Sequence, residues 1–245
     1  MNHLEFKDAF NLRYNNALEG APGLDDYEIS MYLTNAQLEL VKEAYSNNLG
    51  DKSSFESKEK SRRVLSELVK YEEINTTKSS RRGLVDDSVF FEITEEPMYI
   101  VAEFLRVKSN NPLHNGKLIK VIPVTHDEFM LNYNNPFRKP NYNKAWRLDI
   151  SKEASKTTVE IVMNDGVQTY NVRYIKLPYP IIVADLSTDP VVGGIGLTIN
   201  GYTGIGNSQL NSQVHPEIVD RAVELATLDY RESSLKPRVE LNSRR

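Results

Sequence analysis

TTVEIVMNDGVQTYNVRYIK, residues 157–176, is the stretch on which the fold turns. Thr157–Met163 and Val167–Lys176 both alternate apolar and polar residues, the period of a strand with one buried face. Between them lies Asn164-Asp165-Gly166, and an Asp-Gly step tolerates the positive φ angles of a tight turn. The stretch therefore predicts a β-hairpin at the centre of a mostly antiparallel sheet. Working outward, Val89–Ile93, Met98–Val107 and Lys117–Val124 are rich in branched and aromatic residues and read as strands. Another strand begins near Ala145, where Trp146, Leu148 and Ile150 alternate with Arg147 and Asp149. Thr125-His126-Asp127-Glu128 has capping-box spacing and predicts a short helix through Phe129, Met130 and Leu131. Asn132–Asn143, rich in Pro and Asn, reads as loop.

On the N-terminal side the period changes to that of helices. Leu4, Phe10, Tyr14 and Leu18 form one stripe, broken by Gly20-Ala21-Pro22-Gly23. A second helix opens at Asp25, with Glu28 completing a capping box. Ile29, Leu33, Ala36 and Leu40 form its apolar face, and Asn47-Asn48-Leu49-Gly50 ends it. A third helix is expected from Ser57 to Tyr71, with Val64, Leu65, Leu68 and Val69 inward. On the C-terminal side, Pro178 and Pro180 stop the last strand. Ser187–Val214, rich in Gly, Asn, Ser and Thr, reads as a long mobile or partner-ordered loop. A closing helix follows, with His215 as a cap, Pro216 at its first position and Ile218, Ala222, Leu225 and Ala226 on one face. Leu235–Arg245, containing Pro237, reads as an extended arm. The class is α+β: helices at both termini around an antiparallel middle. The expected organisation is one integrated domain: a helical part over 1–75, strands plus closing helix over 76–235, a loop at 187–214 and an arm at 236–245.

Composition narrows the function. The 245 residues contain no cysteine, which excludes disulfides, thiolate–zinc sites and cysteine nucleophiles. The formal charge of −4 argues against gripping a nucleic-acid backbone with the whole surface. No apolar run is long enough to span a membrane, and the opening residues lack the apolar core of a signal peptide.

Candidate chemistry is sparse. Of the four histidines, His3 and His114 lie in terminal or loop sequence, while His126 and His215 stand at helix starts, where imidazole can cap. Pairing His126 with Asp127 or Glu128 would make a general base, but no metal-ligand spacing or nucleophile elbow accompanies it. Gly201-Tyr202-Thr203-Gly204-Ile205-Gly206 superficially resembles a phosphate loop, yet it matches neither nucleotide fingerprint and has no local cation. Asp86-Asp87 and Glu95-Glu96 read as solvated turn charges. No catalytic, cofactor-binding or metal-binding residue is expected. Arg62-Arg63, Arg81-Arg82 and Arg244-Arg245 read as ion-pairing positions on a protein interface or as plain solvated charge, because acidic residues stand close by and no aromatic residues are interleaved for base stacking. Thirteen tyrosines against one tryptophan lean the same way, towards an assembly component. Tyr202, Pro237 and Arg238 complete the expected interface set.

Asn2-His3-Leu4-Glu5-Phe6, Gly23-Leu24-Asp25-Asp26-Tyr27-Glu28-Ile29-Ser30, Leu33-Thr34-Asn35-Ala36-Gln37 and Val41-Lys42 resemble structural proteins of crAss-like bacteriophages of gut Bacteroidetes. Within that group they resemble neck and tail ring proteins of the portal–tail adaptor, head–tail connector type. The closing helix Val214–Ala226 and the strand end Tyr174-Ile175-Lys176-Leu177-Pro178 also resemble the connector pattern, whereas the Gly-rich stretch departs from short compact adaptors. The resemblance implies a virion protein assembled in the host cytoplasm, without catalysis or cofactor. It implies a homo-oligomeric ring of about a dozen copies, joining the portal to other tail or neck rings around a channel through which DNA passes. Leu235–Arg245 would then dock on the portal. The other reading is a tail-associated carbohydrate-binding or hydrolytic protein using an exposed Trp146, the tyrosines and a carboxylate pair. A retaining glycosidase needs two carboxyls about 5–5.5 Å apart, and the sequence selects none.

Overall fold

A computed structural model describes residues 1–18, 20, 22–46, 59–75, 83–85, 88–153, 156–163, 166–187 and 196–243. Its elements are helices α1 (His3–Ala17), α2 (Asp26–Ser46) and α3 (Glu59–Leu65), then strands β1 (Val69–Asn75), β2 (Val89–Ile93), β3 (Pro97–Lys108) and β4 (Leu118–Pro123). Helix α4 (His126–Asn132), strands β5 (Lys144–Glu153), β6 (Lys156–Val162) and β7 (Gly166–Lys176), and helix α5 (His215–Ser243) complete the order. The class is α+β. The chain divides into two compact units, one of Met1–Leu68 with Pro178–Arg245 and one of Val69–Leu177.

In the strand unit the sheet order is β1-β7-β3-β4-β5-β6-β2. Every pairing is antiparallel except β4 with β5, so the sheet is mixed. The expected hairpin is absent. β6 bonds to β2 and β5, while β7 bonds to β1 and β3. Asn164 and Asp165 lie outside the described residues. The alternation of both runs is nonetheless used, because Val159 and Ile161 of β6 and Tyr170, Val172 and Tyr174 of β7 enter one core. That core also takes Phe91 from β2, Leu105 from β3, Ile119 from β4 and Ala145 from β5, with Ile74 of β1 at its edge. Inward residues from all seven strands therefore meet, and the sheet is barrel-like. Its two end strands come together where Thr94, just after β2, donates through its amide and hydroxyl to the Glu72 carboxylate of β1. Two strands facing each other across an interior satisfy a period of two as well as two paired strands do.

Val69–Asn75 is the first strand and not the end of a helix. It holds seven successive partners on β7, from Val69 opposite Ile175 to Asn75 opposite Thr169. The Tyr71 hydroxyl donates to Asn171 Oδ1 at 2.8 Å. A long-range ladder outweighs the local helical reading, since Val, Tyr and Ile favour strands. On the outer face of β5, Trp146 and Leu148 pack with Phe129 of α4. The Phe129 and Trp146 rings meet edge-on at 5.9 Å. The capping box is formed as expected: Thr125 Oγ1 accepts from the Glu128 amide, and Glu128 accepts from the Thr125 amide.

The helical unit is built around α5. Ile218, Val219, Ala222, Val223 and Ala226 are buried. α1 contributes Phe6, Phe10 and Tyr14, so its buried stripe begins at Phe6 and leaves Leu4 in solvent. On α2, Ile29, Leu33 and Ala36 are fully buried as expected, and the Asp25–Glu28 capping box is present. Ion pairs join the helices: Lys7–Asp26 at 2.7 Å, Arg13–Asp220 at 2.6 Å and Arg221–Glu39 at 2.7 Å.

Two expectations fail at the C-terminal end. Leu235–Ser243 is not an extended arm, because α5 continues to Ser243. Glu, Leu, Lys and Arg are strong helix formers and carry the helix past Pro237. The described part of the Gly-rich stretch, 196–214, is not loose either. Asn200 (φ 51°) and Gly201 (φ 83°) make a two-residue turn between Ile199 and Tyr202, which exchange both backbone hydrogen bonds. Ile182 bonds both ways to Gly206, and the Leu186 amide donates to Thr203. A Cβ at Gly206 would stand 2.5 Å from the Pro180 carbonyl oxygen, so only glycine allows this approach.

Candidate assembly surface

Most buried polar groups have structural partners. Ser30, Thr34 and Gln37 of α2 are buried and face the extended segment Tyr179–Val183. Ser30 Oγ accepts from the Val183 amide at 3.0 Å. Thr34 Oγ1 both accepts from and donates to the backbone of Ile181. Gln37 Nε2 donates to the Tyr179 carbonyl at 2.8 Å, and its Oε1 accepts from Ser208. Steps of four and three residues on a helix, about 6 and 4.5 Å, track steps of two residues on a strand, about 6.6 Å. The helix thus supplies the hydrogen bonds that a neighbouring strand would.

The histidines follow the same rule. His215 is buried, with Nε2 donating to the Leu210 carbonyl at 3.0 Å and Nδ1 accepting from the Met1 amino group at 2.7 Å. It caps no amide. Burial, above all, lowers its pKa, and the Leu210 hydrogen bond opposes that shift. At the start of α4 the cap is Thr125 and not His126. His114 stacks on Tyr142 at 4.4 Å. Among the described residues no group of His, Asp or Glu could hold a metal ion.

Inside the barrel-like unit, Arg147 pairs with Glu103 through its guanidinium and lies 3.1 Å from Asp149. Arg147 and Glu103 are buried; Asp149 is largely exposed. Burial raises the pKa of the nearby Tyr170 hydroxyl, Asp149 adds to the rise and Arg147 opposes it. Trp146 is only 4% exposed, which removes it as a platform for a sugar ring.

The basic positions are scattered. Arg62 and Arg63 are exposed on α3, and Arg63 is paired with Glu59 one turn earlier at 2.5 Å. Arg63 lines a shallow groove with Lys60 and Glu217, which form an ion pair across it. Tyr202 is half exposed with its ring edge-on to Tyr179 at 5.3 Å. The helix places Pro237 and Arg238 in α5, whose side chains there are not described. Arg81, Arg82, Asp86, Asp87, Arg244 and Arg245 lie outside the described residues. Glu95, in contrast, is not a free turn charge, since it reaches Lys176 at 3.7 Å.

The sequence reading missed the most exposed large apolar side chains among the described residues. Leu113 is 84%, Met130 74%, Leu131 80% and Phe137 90% exposed. Met130 and Leu131 follow Phe129, whose ring turns inward, so they take the outer side of α4. Arg138 donates to Asn132 and folds the Phe137 loop back onto the end of α4. The His114–Tyr142 stack and a Lys117–Asn143 hydrogen bond of 2.7 Å bring the loop carrying Leu113 beside it. Such a group is worth notice because single exposed apolar residues are ordinary and clustered ones mark association.

Exposed apolar side chains gathered near one helix are the mark of a surface for association. The chain belongs to the phage tail ring proteins 3/4, whose family model matches residues 1–237. It is 36% identical over 231 residues to "Ring protein 3" of Bacteroides phage crAss001, covering 93% of this chain and 96% of that protein. It is 32% identical over 251 aligned residues to "Ring protein 4/5" of the same phage, covering 100% and 99%. The chain is therefore a structural ring protein of a crAss-like phage virion.

Proposed function

We propose that identical copies of this chain close into a ring of about twelve subunits, stacked in the neck or tail between the portal and further rings, without catalysis. The full-length similarity to two differently numbered ring proteins of one phage carries this reading. One fold serving more than one ring suits a stack whose levels are built from related subunits. The central opening would pass the genome, and the formal charge of −4 per copy would multiply around it, favouring sliding over adhesion. Arg62, Tyr202, Pro237 and Arg238 would contact neighbouring rings or the portal. The test is electron microscopy of the purified protein, alone and mixed with portal. Rings with a central opening that attach to portal are expected. A monomer at high concentration, with portal present, would overturn the reading.

A further inference from the structure

Strand register assembles a second surface, on the outer face of the strand unit. Leu105 and Val107 of β3, with Ile119 and Val121 of β4, enter the core. Alternation therefore turns Phe104, Arg106, Lys108 and Lys120 outward. Phe104 lies opposite Asn171 of β7 on one side and Lys120 of β4 on the other, and Lys120 lies opposite Lys144 of β5. We infer that this face binds a single-stranded nucleic acid, with a base laid on Phe104 and phosphates held by the cations around it.

Phe104 is 46% exposed, so its ring is open to solvent. The charged groups of Arg106, Lys108, Lys120 and Lys144 form no ion pair among the described residues. Lys7, Arg13, Arg63, Arg147 and Arg221 all do. The outward positions of β3 from Ala102, of β4, and of β5 as far as Leu148 hold no acid. Glu73 faces the same way, but on β1, two strands from Phe104. Asp127 and Glu128 come after β4 has ended, and Glu128 is bonded to the Thr125 amide. The Tyr71 hydroxyl, donating to Asn171, holds a second exposed ring on this face. Strands about 4.8 Å apart, with same-face residues about 6.6 Å apart along each, let a base and its own phosphate be met at once. An aromatic ring among cations on a sheet face is a way of taking an unpaired strand, whereas a duplex keeps its base faces stacked inside. Net charge is no obstacle: Val69–Leu177 holds 16 Lys and Arg against 14 Asp and Glu, so the acid excess lies in the other unit.

The full chain tests this in solution. A labelled oligothymidylate of about ten nucleotides should bind at low salt, read by fluorescence anisotropy. Phe104→Ala should weaken binding about tenfold, one base–aromatic stack being worth that much. Arg106→Ala and Lys120→Ala should each flatten the log–log salt dependence by about 0.7, the loss of one phosphate contact. A hairpin duplex should bind more weakly and not respond to Phe104→Ala. No binding of the oligothymidylate would overturn the proposal, as would duplex binding of equal strength with Phe104→Ala without effect. Polyglutamate binding as tightly as the oligothymidylate would overturn it in favour of an acidic protein partner. Ultraviolet crosslinking of a bromouracil oligonucleotide to the unsubstituted chain should label the β3 peptide that holds Phe104. Labelling only elsewhere would overturn the proposal even if the substituted chains failed to fold. Each copy carries the whole face, so these outcomes are separate from whether copies close into a ring.

Discussion

The two units solve the same problem, satisfying buried backbone, by different means. In the strand unit Val69–Leu177, an uninterrupted stretch of chain, ladder hydrogen bonds satisfy the backbone and a buried charge pair sits within the core. In the helical unit, drawn from both ends of the chain, an extended segment is bridged to Gly206 at Ile182, and three side chains of α2 bond its other backbone groups where a strand would. Ladders tolerate many side chains because the backbone supplies the bonds. The α2 arrangement depends on Ser30, Thr34 and Gln37 as particular residues.

That contrast can be broken at several points. The largest effect belongs to the strand unit: Arg147→Met alone should cost about 3–5 kcal/mol, because Glu103 stays buried without its partner. Replacing both with apolar residues should return most of the loss, as chemical denaturation would show. In the helical unit, Thr34→Val should cost about 1–3 kcal/mol by stranding the Ile181 amide and carbonyl, while Thr34→Ser should be much milder. Asn2→Ala should cost about 1 kcal/mol, since it removes a helix cap present in the structure.

Acid should act on the helical unit through His215. Its pKa is lowered in the fold, so the unfolded chain binds a proton more readily. This contribution is complete above the ordinary histidine value and is lost as pH falls below it. Protonating Nδ1 would also place a cation against the Met1 amino group. Melting temperature should therefore fall from neutral towards mildly acidic pH, with a weaker fall in His215→Gln; equal falls would exclude His215 as a cause. The smallest effect is expected at the exposed Arg63–Glu59 pair, where Arg63→Ala should change stability by about 0.2–1 kcal/mol at most.

Legibility in the sequence followed range. The capping boxes at Asp25–Glu28 and Thr125–Glu128, the α2 stripe and the span of most strands could be read because each depends on residues a few positions apart. Two glycine steps show where such reading ends. Asp165-Gly166 has the composition of a hairpin turn, yet the strands beside it pair elsewhere; Asn200-Gly201 has the same composition and does form the two-residue turn, inside a stretch read as loose. The helical reading of Val69–Tyr71 failed because its partner lies a hundred residues away on β7. The candidate surface was harder still. Met130 and Leu131 were assigned to the correct helix, but nothing local says that Phe129 alone faces inward.

By itself the sequence determined the α+β class, the capping boxes at Asp25–Glu28 and Thr125–Glu128, the alternation of β6 and β7, and a resemblance to crAss-like ring proteins that the full-length matches bear out. Tertiary structure alone decided which strands pair, that Trp146 and His215 are buried, that 196–214 is tied down, and which apolar residues stay in solvent. Local spacing encodes torsion angles and one-sidedness. Pairing and exposure depend on what the rest of the chain brings to the other side.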